Sequence, residues 1–381
     1  MTSRDSAGSG GVSRTVLRNV KVFDGASVGD GSDIVIDGCE IGSTPEGAHV
    51  IDGDGLTLLP GLIDAHVHLH EYQDLERFAS FGVTTALDMA SWPPSFVDSL
   101  RGQPGLTDIR SALCSCTVPG TIHSKMDDYP PEGILEGAGD AAAFVARRVA
   151  EGADYIKMIA DSPGPDQETL DAVVNAAHEL GRMTVTHASN SIAYEMAAKS
   201  GTDVITHVPL DRVVDPAVID LMLEHGQISV PTLTMMEGIV ARFIAMGIMK
   251  APVDGVTEGR GYAHAHDSVS ALHAAGVPIL AGTDANCAPS APAAVAHGES
   301  IHRELELLVA AGLSTLDALR AATDLPARHF GLADRGRIAP GLRADLLLVS
   351  GDPLKDIRST QSISRVWCGG KEYLGRKGTV D

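Results

Sequence analysis

Side chains able to hold a metal close short apolar stretches that lie far apart in this 381-residue chain. They are His66 and His68 in Leu62-Ile63-Asp64-Ala65-His66-Val67-His68, Lys157 in Tyr155-Ile156-Lys157-Met158-Ile159, and His187 in Val185-Thr186-His187. His207 in Ile205-Thr206-His207 and Asp284 in Ala281-Gly282-Thr283-Asp284 complete the set. An i, i+2 histidine pair on a strand points both rings to one side. Convergent neutral imidazoles suit a borderline divalent cation such as zinc. A lysine inside an apolar strand is costly to bury unless its charge is removed or paired. Each residue alone has a plainer reading: a satisfied core histidine, a lysine whose stem covers apolar surface, or an aspartate capping a helix. Their repetition at the ends of apolar runs favours convergence on one cavity.

The elements that must position them follow an alternating order. Strand candidates are Gly61–His66, Val83–Met89, Asp108–Cys116, Tyr155–Ala160, Met183–His187, Val204–His207, Ile228–Thr234 and Val277–Thr283. Helical patterns lie between most of them, as at Asp74–Phe81, Ala141–Glu151, Gln167–Leu180 and Ile192–Ser200, with a weak signal after Ser91. Repeated β-then-α order implies a parallel sheet, and eight such units imply a (β/α)8 TIM barrel over residues 60–335, with Glu299–Ala311 packed outside. The barrel's site belongs at the C-terminal ends of its strands. Two long gaps, Thr117–Gly139 and Met235–Val256, begin at such ends and are expected to form walls or a lid. Short strand signals at both chain ends, 15–59 and 336–381, suggest one small composite β domain, a β-sandwich, while residues 1–14 read as a disordered tail.

Composition is ordinary for a globular protein, with 44% hydrophobic and 21% charged residues. The formal net charge of −21 argues against nucleic acid or an anionic membrane as partner; a small-molecule substrate is the expectation. The five cysteines show no framework spacing, the start of the chain has no apolar core of a signal peptide, and no long apolar run exists. A reduced, cytoplasmic protein is the expectation.

The residues above resemble the metal-dependent amidohydrolase superfamily, and within it the imidazolonepropionase-like, prolidase-like and ochratoxinase-like branch. Pro60-Gly61-Leu62-Ile63-Asp64-Ala65-His66-Val67-His68 is similar to that family's strand-one motif, Ala281–Ala285 to its strand-eight motif, and Gly341–Leu346 to its return into the small β domain. The resemblance implies that His66, His68 and Asp284 hold the more buried of two divalent metal ions, and His187 and His207 the more exposed one. Lys157 is implied to carry a carbamate derived from CO2 that bridges them. Its presence favours two metals, since relatives with one metal have no bridging lysine. Zinc is the usual occupant; manganese, iron or cobalt also suit these ligands. The implied reaction is hydrolysis of an amide-like C–N bond in an N-acyl amino acid, peptide or cyclic amide. A metal-bridging hydroxide attacks the carbonyl, and Asp284 serves as general base and then general acid. Relatives commonly assemble, so a homo-oligomer is expected.

Outside the metal set, His123 in the first long gap is a candidate to hydrogen-bond the substrate carbonyl. Met89 and Trp92 are candidates for an apolar wall, Thr234, Met235, Met236, Met246 and Met249 for an adaptable lining, and Arg212 for gripping a substrate carboxylate. Cys287, His70, His264, His266, His273, His297, His302 and His329 carry no motif. The same metal pair would serve a lactonase or phosphotriester hydrolase. A non-catalytic scaffold of the same fold predicts missing ligands, and none is missing.

Overall fold

The computed structural model describes residues 14–127, 129–249 and 261–375. The disordered-tail expectation for 1–14 falls outside these residues except for Arg14. Five strands open the chain: β1 (Thr15–Val22), β2 (Ser32–Asp37), β3 (Glu40–Gly42), β4 (His49–Asp52) and β5 (Leu56–Pro60). Seven follow as a parallel series: β6 (Leu62–Val67), β7 (Val83–Asp88), β8 (Asp108–Ser111), β9 (Ile156–Ile159), β10 (Thr184–His187), β11 (Val204–Thr206) and β12 (Ile228–Val230). Three close the chain: β13 (Leu346–Ser350), β14 (Ile363–Cys368) and β15 (Lys371–Glu372).

Strands from both ends of the chain pair with each other in the order β15-β14-β13-β5-β1-β2-β3 with β4 against β1. β1 changes partners along its length: Thr15–Arg18 pair with β4, whereas Lys21 and Val22 pair with β5. The register shifts between Leu17 and Val20, and Asn19 between them has φ 56°. An irregularity of this kind bends a strand from one pairing to another.

The parallel strands are buried on both faces, which is why they read as near-continuous apolar runs. They pair as β6-β7-β8 and β9-β10-β11-β12. Two irregular segments join these groups. Cys116 N donates to the Lys157 carbonyl at 3.0 Å, and Ile159 N to the Cys116 carbonyl at 2.9 Å. Strand three therefore stops at Ser111, shorter than the sequence suggests; Leu113, at φ 56°, breaks the run before Cys116 rejoins the ladder. The expected eighth strand, Val277–Thr283, is likewise irregular, with one isolated bridge at Ile279 and another just beyond it at Ala285. Its Leu280 N donates to the Ser229 carbonyl at 2.9 Å, while Ala65 N donates to the Ala281 carbonyl at 2.9 Å. The segment thus spans from β12 to β6.

Helices cover the outer faces at Gln73–Ser80, Pro94–Leu100, Ala141–Ala150, Gln167–Glu179, Ser191–Lys199, Pro216–His225, Tyr262–Ala275 and Ser300–Ala310. The gap expected as a second wall begins instead as the helix Leu233–Ala245, whose Met235 and Met236 are fully buried in the core; residues 250–256 lie outside the described part. No helix among the described residues is long and apolar enough to cross a membrane.

Candidate active site

His66, His68, Lys157, His187, His207 and Asp284 all line one cavity of about 540 Å3. They come from β6, β9, β10, the end of β11 and the segment after residue 277. Main-chain bonds set the first three ligands side by side. Asp284 N donates to the His66 carbonyl at 2.8 Å, and His68 N to the Ala285 carbonyl at 2.9 Å. The Asp284 Oδ1 then lies 3.0 Å from His68 Nε2 and 3.4 Å from His66 Nε2. Gly282 permits this approach: a Cβ there would come within 2.9 Å of His66 N and would meet Val230.

The ring of His207 bridges the two halves of the site, its centroid 4.9 Å from that of His66 and 4.4 Å from that of His187. Its Nδ1 bonds Thr232 Oγ1 at 2.7 Å, which leaves Nε2 for a ligand. His68 similarly spends Nδ1 on the Ala90 carbonyl at 3.3 Å. Lys157 Nζ is buried and donates to Thr206 Oγ1 at 2.8 Å.

Strain concentrates here. His207, Thr232 and Asp284 have φ of 72°, 49° and 58°, in the left-handed region. Such conformations cost about 1–3 kcal/mol each in non-glycine residues and persist where surroundings over-determine them. Glu304, on the helix Ser300–Ala310, provides part of that support. Its carboxylate accepts from Leu233 N at 2.9 Å and Thr234 N at 2.7 Å, fixing the turn that carries Thr232.

Burial, aided by neighbouring positive charge, holds His66 and His187 well below the ordinary imidazole range, and burial moves His207 down to about 3. These rings are therefore neutral, the form a metal needs. Burial moves the Lys157 amine down to about 7. The buried Asp284 Oδ1 and His66 Nδ1 have no hydrogen-bond partner. His66, His68 and Asp284 bring one donor atom each within 4.8 Å of one another, as do His123, Asp161 and His187. Neutral nitrogens, a carboxylate oxygen and an orphaned buried acceptor fit a divalent cation.

Some site residues carried no signal in the analysis of the sequence. Asp161, four residues after Lys157, takes His123 Nδ1 at 2.8 Å and lies 3.8 Å from His187 Nε2. His297, buried, contacts the His68 carbonyl through Nε2 at 2.8 Å, and its Nδ1 faces the Cys287 thiol at 3.5 Å. Asp64 accepts from Thr283 N at 3.0 Å, from Thr283 Oγ1 at 2.7 Å and from His66 N at 3.2 Å, tying the first ligand strand to the last. Replacing Asp64 with Ala leaves the Thr283 donors buried and unpaired, an expected cost of about 2–3 kcal/mol. Thermal unfolding checks this, with a lowered midpoint predicted.

The weaker candidates divide. His123, Met89 and Trp92 line the cavity, and the gap Thr117–Gly139 forms its wall through Met126, Tyr129 and Pro130. His70 also lines it, bonded through Nε2 to Asn286 Oδ1 at 2.8 Å. Thr234, Met235, Met236, Met246 and Met249 do not: the helix Leu233–Ala245 buries Met235 and Met236, Thr234 bonds Glu304, and beyond the helix Met246 is exposed and Met249 packs against the core. Arg212 lines a different cavity and bonds Ser191 Oγ at 3.2 Å, so it cannot grip a substrate here.

The sequence profile of the amidohydrolase family matches residues 57–373, most of the chain and the whole of this site. The chain belongs to the amidohydrolase family. It is accordingly a hydrolase of carbon–nitrogen bonds, in a family that generally uses divalent metals. An uncharacterised protein of Mycobacterium tuberculosis is 29% identical over 324 residues, covering 79% of this chain and 80% of the relative. An adenine deaminase of Methanoregula boonei is 28% identical over 368 residues; the match covers 92% of this chain but only 58% of the deaminase. Among solved structures, a Xaa-Pro dipeptidase with bound methionine in its active site superposes with a TM-score of 0.79 at 27% identity, covering 95% of this chain and 100% of that one. The architecture of this amidohydrolase is of the TIM-barrel type.

Proposed function

We propose that this amidohydrolase cleaves an amide-like C–N bond at a binuclear metal centre held by His66, His68, Lys157, His187, His207 and Asp284. The observation that carries the reading is that six side chains scattered between residues 66 and 284 line one cavity, with the Lys157 amine buried among neutral imidazoles. His66, His68 and Asp284 would hold one cation, His187 and His207 the other, and a carbamate on Lys157 would join them. Zinc suits these ligands.

The cations, when bound, would polarise the scissile carbonyl and lower the pKa of the attacking water. Asp284 accepts the water's proton and returns it to the departing nitrogen, a general base turned general acid. Its position beside His68 suits this: although burial works to raise its pKa, the His68 contact prevails and holds the carboxyl below the usual range, so it starts as the base. His123 lines the cavity with Nδ1 held by Asp161; with both ring nitrogens protonated, the ring would present Nε2–H to the substrate oxygen as negative charge develops.

On the same reading, 15–59 and 336–375 are a small composite β domain of sandwich type, and the described residues of 60–335 are a barrel of eight β-then-α units whose eighth stave is irregular. The substrate is a small molecule, the protein works in the cytoplasm without nucleic acid or membrane, and it assembles with copies of itself. A panel of N-acyl amino acids, dipeptides, lactams, lactones and aryl phosphotriesters, offered to metal-replete enzyme, tests the reaction. Amide-type members are expected to turn over fastest. Faster turnover of lactones or phosphotriesters would transfer the centre to that chemistry.

A further inference from the structure

The cavity's outer wall bears on which amide enters it. Resting on the amide-hydrolase reading, we propose that the group beyond the scissile bond is an uncharged aromatic ring, so that the preferred substrate is a neutral aryl amide rather than a peptide or N-acyl amino acid ending in a carboxylate.

One side of the cavity is apolar and in part aromatic, formed by Met89, Trp92, Phe96, Met126, Tyr129 and Pro292. At about 540 Å3 the space suits a small molecule rather than a long peptide. Among the described residues that line it, the only lysine or arginine is Lys157, which sits with the imidazoles and bonds Thr206. A carboxylate at the far end of a substrate, away from the metal ligands, therefore meets no lysine or arginine side chain among the described lining residues. Arg148 comes nearest in purpose but is sealed away. It is fully buried, ion-pairs with Glu151 at 2.6 Å, and stacks its guanidinium on the Trp92 ring 4.7 Å from the centroid and on Phe144 at 5.3 Å. Its contact steadies the indole, and its charge is matched by Glu151.

Two hydroxyls of the wall are already engaged. The Tyr129 hydroxyl donates to the Ser115 carbonyl at 2.9 Å. Ser91 Oγ donates to Asp88 at 2.6 Å and lies 3.0 Å from the Leu69 carbonyl. A substrate carboxylate would thus be desolvated without a partner, which is costly. A neutral ring laid on Trp92 gains both buried area and stacking.

Two probes of nearly the same shape, one neutral and one anionic, test the assignment: N-acetyl-4-aminobenzamide and N-acetyl-4-aminobenzoate, with cleavage read as release of acetate from the acetanilide bond. Binding is read on metal-loaded Asp284→Asn enzyme by tryptophan fluorescence. The chain has two tryptophans, and Trp367 is buried in β14, so Trp92 is the reporter that a ligand in the cavity reaches. The benzamide is expected to quench saturably with a dissociation constant at least about tenfold below that of the benzoate. Wild-type kcat/KM should favour it in the same direction. Trp92→Ala should raise KM for the benzamide about tenfold with little change in kcat, and Trp92→Phe should restore most of the loss. The assignment is overturned by equal or tighter binding of the benzoate, by absence of saturable quenching with the benzamide, or by an unchanged KM in Trp92→Ala. If the benzamide binds preferentially but wild-type enzyme cleaves neither probe, the pocket assignment stands and the amide reading falls.

Discussion

Replacing Asp284 with Asn is expected to lower kcat by on the order of a thousandfold while leaving most of the metal bound, since removal of a general acid–base group typically costs 10²–10⁴. The two outcomes separate because asparagine keeps the side chain's shape and one oxygen donor near the His68 and His66 imidazoles, where the carboxylate lies at 3.0 and 3.4 Å. What it loses is the ability to take a proton from water and hand it to the leaving nitrogen. The main-chain frame is untouched, since Asp284 N still bonds the His66 carbonyl. Parallel measurement of kcat and metal content on the purified variant decides the matter. Turnover near that of the parent enzyme would remove Asp284 from the proton path.

The second large effect belongs to Lys157. Replacing it with Met removes the amine but keeps a long apolar stem in a site where the charged form is disfavoured, so the protein should fold. The proposed bridge between the cations would go, and turnover should fall on the order of a thousandfold as several kcal/mol of charge stabilisation are lost. The wild-type lysine also predicts a pH dependence. Only a neutral amine adds CO2, and burial brings the Lys157 pKa down to about 7. Above that value the amine is mostly free to react, and below it the ammonium is not. Reconstitution of stripped enzyme with metal should therefore speed up with added bicarbonate at pH 8 and stall at pH 6. Reconstitution that ignores both pH and bicarbonate would argue against a carbamate.

The sequence made some of this visible and hid the rest for physical reasons. Strand ends were legible because strands covered on both faces leave apolar runs, and a polar ligand closing such a run stands out, as His187 does after Val185-Thr186. The eighth segment was expected as a strand, yet only Ile279 and Ala285 form single bridges there, because Gly282 and the left-handed Asp284 bend it to bring the carboxylate beside His66. The sequence suggests a wall over the gap Met235–Val256. Its apolar methionines were read as lining, but the helix buries Met235 and Met236, and nothing local reveals that Glu304 caps it from 70 residues away. Supports of this kind, including Asp64 under Thr283 and His297 under His68, are long-range contacts of unremarkable residue types. Asp161 was within reach as a carboxylate just past the Lys157 strand, but its meaning depends on His123 arriving from a separate loop.

The central claim is that these scattered side chains hold two cations joined through Lys157. Metal analysis of enzyme purified with metal and bicarbonate present, set against Lys157→Met prepared identically, tests it most directly. The account predicts close to two metal ions per chain for the parent and one or fewer for the variant; one ion per chain in both proteins would contradict it.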